Sequence, residues 1–120
     1  MIKLAFVFRS SPFGSASSRE GLDALLAATA FCNEDEIGVF FIENGVFNLV
    51  ANQEPEGILQ KDFIRTFKLL ELNNIQQRYL CEESVIERDL ADLEIVLECH
   101  VLKRAELIEK LKSADKILTF

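Results

Sequence analysis

Apolar and polar positions fall in blocks along this chain, and the blocks have two different lengths. Residues 2–8 are apolar apart from Lys3, as in a strand buried on both faces of a parallel sheet. The same reading holds for residues 37–42 and, in shorter form, for 77–81. Residues 93–99 are a fourth strand candidate and 116–120 a fifth. Between these blocks the period lengthens. Leu22, Leu25, Leu26 and Thr29 share one helical face. Ser17 stands three residues before Glu20, which is capping-box spacing, and this helix is expected to end near residues 31–33. Phe63, Phe67 and Leu70 fall at helical spacing over 62–70. Residues 82–88 read as a short helix whose leading acids complement its dipole, and 103–112 as a longer one. Residues 46–50 suit a short helix. Turn chemistry marks the joints: Pro12 and Gly14 within 9–18, Asn44-Gly45, and Pro55 with Gly57 within 52–57.

Strands that alternate with helices imply an α/β fold. The expected form is three layers, α/β/α, with a mainly parallel sheet of about five strands and right-handed crossovers. No internal repeat or linker interrupts the 120 residues, so one domain over 1–120 is expected. The order of the strands stays open at this level.

Composition narrows the functions. Hydrophobic residues make up 49% of the chain, enough for a substantial core at this length. No apolar run is long enough to span a bilayer, and the stretch at 2–8 is cut by Arg9, so it reads as a strand and not as a leader. A cytoplasmic protein without membrane attachment is expected. The net charge is −7 and no cluster of Lys and Arg appears, which argues against direct nucleic-acid binding. The 3 cysteines are widely spaced, with no CxxC pair, so neither a zinc site nor a disulfide framework is expected. No cofactor or metal is called for.

In open parallel sheets, sites form beyond the carboxyl ends of the strands. Four places qualify. The loop 9–18, with its serines, leads into a helix N-terminus. That arrangement suits an anion or a flavin phosphate, but it also suits a plain capped connection, and Walker spacing is absent. Cys81 ends the third strand just before a helix, where backbone N–H groups favour a thiolate. Glu82 and Glu83 follow at once and oppose it. Cys99 and His100 suggest a nucleophile and base, yet neighbours on a strand point to opposite faces. Cys32, at the end of the first helix, reads as a small packed hydrophobe. The turn Asn44-Gly45-Val46-Phe47, continued by Leu49 and Val50, is either core or an apolar subunit contact.

Four linked segments carry a resemblance. They are Ala5-Phe6-Val7-Phe8 leading through Pro12 and Gly14 into Arg19-Glu20-Gly21-Leu22-Asp23-Ala24-Leu25-Leu26; Val39-Phe40-Phe41-Ile42 followed by Asn44-Gly45-Val46-Phe47; Thr66-Phe67-Lys68-Leu69-Leu70; and Cys81. In this order and spacing the chain resembles the DsrF/TusC family, the C-type subunit of the DsrEFH/TusBCD sulfur-relay complex, over nearly its whole length to Ile117-Leu118-Thr119-Phe120. The resemblance implies a DsrE-like fold. It implies a heterohexamer, a dimer of heterotrimers, with B-type and D-type subunits. Such a complex takes persulfide sulfur from carrier proteins and passes it on, in one version toward 2-thiouridine at the tRNA wobble position. In the similar D-type subunit the persulfide-bearing cysteine stands at the strand end that Cys81 occupies here. The D-type pattern has small apolar residues after that cysteine, and glycine where Asp89 stands. The implied role is therefore a non-catalytic subunit that completes its partner, with a sulfurtransferase working through Cys81 as the alternative. A flavodoxin-like small-ligand module is a third reading, kept open by the serines of 9–18. A phosphate-receiving signalling domain is excluded, because Arg9-Ser10 and Cys81 stand where it needs acids.

Overall fold

The computed structural model describes residues 2–11, 16–50, 67, 69–91 and 97–120. Its strands are β1 (Leu4–Phe8), β2 (Ile37–Phe41), β3 (Gln77–Cys81), β4 (His100–Leu102) and β5 (Lys116–Thr119). The helices are α1 (Ser17–Ala28), α2 (Leu69–Leu72), α3 (Glu82–Glu87) and α4 (Arg104–Lys112), with 3₁₀ segments at Glu34–Glu36 and Glu43–Leu49. The five strands form one sheet in the order β4-β3-β2-β1-β5, and every pairing is parallel.

That order explains how the layers divide. From β1 through β4 the chain steps in one direction across the sheet, so right-handed crossovers put the intervening segments on one face. From β4 to β5 it returns across the whole sheet, and the same handedness sends α4 to the other face. Alternation along the strands feeds both layers. Phe6 and Phe8 of β1, Val39 and Phe41 of β2 and Leu80 of β3 enter a larger core with Leu22 and Leu25 of α1. Ala5 and Val7, Phe40, Tyr79 and Cys81 point the other way, into a smaller core closed by Leu107 of α4. Central strands, buried on both faces, read as unbroken apolar runs. The edges differ: β4 has three residues and β5 exposes Lys116, Ile117 and Thr119, and short, charged edges discourage pairing with other chains.

An aromatic nest fills the centre of the larger core. Phe8 stacks on Phe41 with ring centroids 5.4 Å apart and meets Phe67 edge-on at 5.3 Å. Phe120 tilts against Phe8 at 6.0 Å. The backbone ties the same residues, since Phe120 N–H donates to the Val7 carbonyl.

Several boundaries depart from the sequence reading. Helix α1 ends at Ala28, short of 31–33, because the amides of Thr29, Ala30 and Phe31 bond three residues back and tighten the last turn. Ser17 is already helical, after Ala16 at the cap, so the expected Ser17–Glu20 capping box does not form. Instead the Asn33 amide donates to Glu36 Oε1 at 3.0 Å, and Glu36 also pairs with Lys3 at 2.8 Å. The described β4 is His100–Leu102; of the block 93–99 expected as the fourth strand, residues 97–99 are not in a strand and 93–96 lie outside the described residues. So do the loop at 52–57 and most of the helix expected over 62–70; its described part ends in α2. The short helix expected over 46–50 is a longer 3₁₀ segment beginning at Glu43.

Candidate functional site at the strand carboxyl ends

The carboxyl ends of four adjacent strands deliver polar residues to one rim. Beyond β1 stand Arg9 and Ser10, and beyond β2 stand Glu43, Asn44 and Gly45. Cys81 ends β3 and opens α3, while Arg104 follows β4 and opens α4. The chain reverses sharply at Glu43, whose φ of 51° is a left-handed conformation. That turn aims the Glu43 carboxylate at Arg9, whose Nε and Nη2 both donate to Oε2, at 3.1 and 2.9 Å. The Glu43 amide donates to the buried Ser84 hydroxyl oxygen at 2.8 Å. Arg104 reaches the same oxygen at 3.5 Å and donates to Glu87 Oε1 at 2.6 Å. Its backbone amide donates to Glu83 Oε1 at 2.8 Å. Arg88 links back, donating to Asn44 Oδ1 at 3.0 Å and to the Ser84 carbonyl at 3.2 Å.

The charges answer to this wiring. The Glu83 carboxyl is held below its usual range, first by the Arg104 amide. Arg104 is raised, first by its hydrogen bond to Glu87, with a smaller contribution from the Cys81 sulfur close by. Three arginines thus stand on the rim, and two of them face carboxylates.

Cys81 itself is fully buried. Its side chain packs in the smaller core with Val7, Phe40 and Leu107. The neighbouring Leu80 points through the sheet to an apolar cavity of about 300 Å³, lined also by Val46, Val85, Leu90 and Val101, with Glu82 at its margin. Cavity and thiol therefore lie on opposite faces of β3, because alternate residues on a strand do. His100 does not serve Cys81: it pairs in register with Tyr79, two residues before the cysteine, and its exposed ring tilts against Tyr79 at 5.8 Å.

Cys99 precedes β4, so the strand argument that separated it from His100 does not apply as stated. Its thiol donates to the Leu97 carbonyl at 3.5 Å, and the half-buried residue packs on the larger core. Burial pushes this thiol up to about 12 from an ordinary 9.0. An acid raised in this way changes the pH dependence of stability in one direction. Below pH 9.0 the thiol is neutral in both states. Between there and about 12 the unfolded chain releases the proton and the folded chain keeps it, so stability falls. Thermal melts of the chain are expected to lose stability more steeply over this window than melts of Cys99→Ala. Parallel curves for the two would contradict the assignment.

The turn after β2 belongs to the core. Val46, Leu49 and Val50 are buried and Phe47 is half-buried against them. Asn48, also buried, donates to the Ser10 and Gly45 carbonyls at 3.0 and 2.9 Å and knits this segment to the start of the loop 9–18. Ser18 bonds the same Ser10 carbonyl at 2.9 Å. Pro12 and Gly14 lie outside the described residues. Cys32 packs half-buried against the larger core. Among the described residues no three His, Cys, Asp or Glu side chains gather to hold a metal ion, and no helix is long and apolar enough to cross a membrane.

Sequence reasoning located the rim and named Cys81, but it missed Ser84, Arg104, Glu43 and Asn48. No spacing signals them, since they come from three strand ends: Glu43 and Asn48 follow β2, Ser84 follows β3 and Arg104 follows β4. The one available cue is the topological rule that such ends converge.

Comparison with known proteins adds a second line. Residues 2–120 match the model of the DsrE/DsrF-like family. The chain is 55% identical over 119 residues to a Haemophilus influenzae protein named Protein TusC homolog, covering 99% of this chain and 100% of that one. Proteins of the same name from Pasteurella multocida and Vibrio parahaemolyticus are 54% and 46% identical, over 99% and 100% of this chain and the full length of each relative. Among solved structures it resembles the ychN protein from E. coli, with a TM-score of 0.81 and 25% identity over 100% of both chains.

Proposed function

The chain belongs to the DsrE/DsrF-like family, and from that membership we propose that it is a non-catalytic structural subunit of a sulfur-relay complex. In this reading it assembles with B-type and D-type subunits as a heterohexamer in the cytoplasm. Its D-type partner accepts persulfide sulfur from carrier proteins, and the complex supports 2-thiouridine formation at the tRNA wobble position. The full-length likeness to proteins named TusC homolog supports the subunit role. The net charge of −7 suits a chain that does not itself grip nucleic acid.

One observation carries the non-catalytic part. A sulfur acceptor must meet a donor's persulfide in line, and a thiolate must be accessible to react. Cys81, the only cysteine at a strand carboxyl end among the described residues, has no exposed surface. Its side chain belongs to the smaller buried core with Val7, Phe40 and Leu107.

The test is mass spectrometry of the native assembly recovered through this chain from its own cells. B- and D-type subunits are expected to co-purify, with extra sulfur on the partner's cysteine and none on Cys81. Cys81→Ser is expected to leave sulfur transfer by the assembled complex unchanged. A persulfide on Cys81, together with loss of transfer in that variant, would establish the chain as a sulfurtransferase instead. Recovery of the chain without partners would sink the subunit reading.

A further inference from the structure

We propose that the apolar cavity over β3 and β4 is a docking site for another subunit of the assembly, which seats a large apolar side chain there and sets a lysine or arginine beside Glu82. The proposal deepens the subunit reading and rests on it for the partner's being a different protein.

Leu80 and Val101 are register partners on β3 and β4, so both face the cavity from the sheet. Val85 and Ile86 of α3 line it from one side, and Val46 and Val50 from the other. Strand β4 is the outermost on this side, so the cavity reaches the edge of the sheet. Its apolar surface does not stop at the mouth, since Ile86 and Val101 are each 57% exposed. Large aliphatic residues exposed singly are ordinary, but two that flank one cavity extend it into a patch of the kind that marks an interface. The volume of about 300 Å³ stands at the low end for small-ligand pockets, about 300–1,000 Å³. A protein surface covers both the cavity and its exposed margin, which a small ligand confined to the cavity does not.

Charge decides what the partner brings. Glu82 stands half-buried at the cavity margin. Among the described residues no cation pairs with its carboxylate. The arginines around α3 are engaged elsewhere: Arg104 donates to Glu87, and Arg88 to Asn44 and the Ser84 carbonyl. Asp89, exposed beside the lining residue Leu90, is a second acid without an ion pair among the described residues. A surface that closes over the cavity takes Glu82 further out of water, and burying a carboxylate is costly unless a cation comes with it. A lipid chain or other apolar ligand brings none. A lysine or arginine next to the inserted side chain supplies it, and a basic partner surface also answers the net charge of −7. That same net charge sets a second copy of this chain against the first.

The test uses the assembly recovered through this chain from its own cells, with partner subunits counted per chain by mass spectrometry. Ile86→Asp and Val101→Asp each put a charge on the exposed apolar margin. Each is expected to lower recovery of a partner subunit by about 10-fold or more, while the melting temperature of the purified chain stays unchanged. Ile117→Asp alters an exposed apolar residue of β5, at the opposite edge of the sheet, and is expected to change recovery by less than about 2-fold. Glu82→Lys sets like charge against the partner's cation and is expected to lower recovery by about 10-fold, with Glu82→Gln lowering it by a smaller factor. Should one of the aspartate variants fail to fold, the other and Glu82→Lys decide. Full recovery in the Ile86, Val101 and Glu82 variants would overturn the proposal and leave the subunit reading standing. So would an equal loss in Ile117→Asp, equal losses in Glu82→Lys and Glu82→Gln, or a second copy of this chain held through the cavity in place of a different subunit. If the unaltered chain recovers no partner, the subunit reading itself falls, and the proposal with it.

Discussion

Gly45→Ala is expected to prevent folding. A methyl group at this position would lie 1.7 Å from the Phe8 carbonyl oxygen and 2.3 Å from its carbon. Those atoms are backbone, and they cannot withdraw. The Phe8 carbonyl accepts the Ile42 amide at 3.1 Å, and β1 is the strand to which both β2 and β5 are paired. Relief would require the 3₁₀ segment Glu43–Leu49 to lift by more than about 1 Å, a movement that costs of order 4 kcal/mol or more when it opens a packed core. Val46 and Leu49 would leave the larger core, and the Asn48 bonds to Ser10 and Gly45 would break. Gly38→Ala is the control. There the nearest atom is Ile2 Cδ1 at 2.6 Å, the free end of a flexible side chain. A loss of about 1 kcal/mol is expected for it, in keeping with mild overpacking. Soluble expression and urea unfolding of both variants check the contrast. A cooperatively folded Gly45→Ala protein of near-normal stability would show that the approach of this segment to β1 is not obligatory.

The second large effect is expected at Phe8. Its ring is fully buried and touches three other aromatic rings, those of Phe41, Phe67 and Phe120. Phe8→Ala removes the transfer free energy of the ring and leaves a cavity that β1, paired on both sides, cannot collapse to fill. Together with the aromatic contacts, this comes to about 4–5 kcal/mol. Against a total stability of about 5–15 kcal/mol, such a loss lowers the melting temperature by roughly 15 °C or unfolds the chain outright. Phe8→Leu keeps most of the volume and is expected to lose less than half as much. Melting curves of the two variants decide the matter. Equal losses would mean that aromatic geometry matters and volume does not, while a small loss in Phe8→Ala would mean that the nest repacks.

Both variants bear on function as well as stability. Phe8 and Gly45 sit directly beneath Arg9, Ser10 and Glu43, so the rim geometry rests on them. A partner that reads this rim meets a surface whose polar groups are carried by the aromatic nest. For that reason loss of assembly in either variant follows from loss of fold and does not by itself map an interface. Arg9→Ala and Glu87→Gln, which leave the nest intact, are the informative surface changes.

Local pattern was enough for much of this protein. Apolar runs such as Ala5-Phe6-Val7-Phe8 and Val39-Phe40-Phe41 can be buried on both faces only in a central parallel strand, and they are. The Leu22–Leu25 spacing placed α1 against the sheet, and the Cys81-Glu82 junction marked the β3–α3 boundary where it occurs. These features depend on neighbours within one turn or one pleat, which a linear pattern records. The resemblance to the DsrF/TusC family rested on the same local segments. Other features depend on residues distant in the chain. The order β4-β3-β2-β1-β5 arises from which faces pack together, and among the described helices it sends α4 to the second layer. The place of β4 could not be read from apolarity, because a three-residue edge strand needs little of it. Ser17 at the start of α1 had the spacing of a capping box, but a cap forms only where the backbone enters from an extended conformation, and here the helix had already begun. Above all, whether Cys81 is open or closed is not a property of its neighbours in sequence. Leu102 and Leu107 bury it from β4 and α4. Burial is a sum over contacts in space, and those contacts exist only once four strand ends have met.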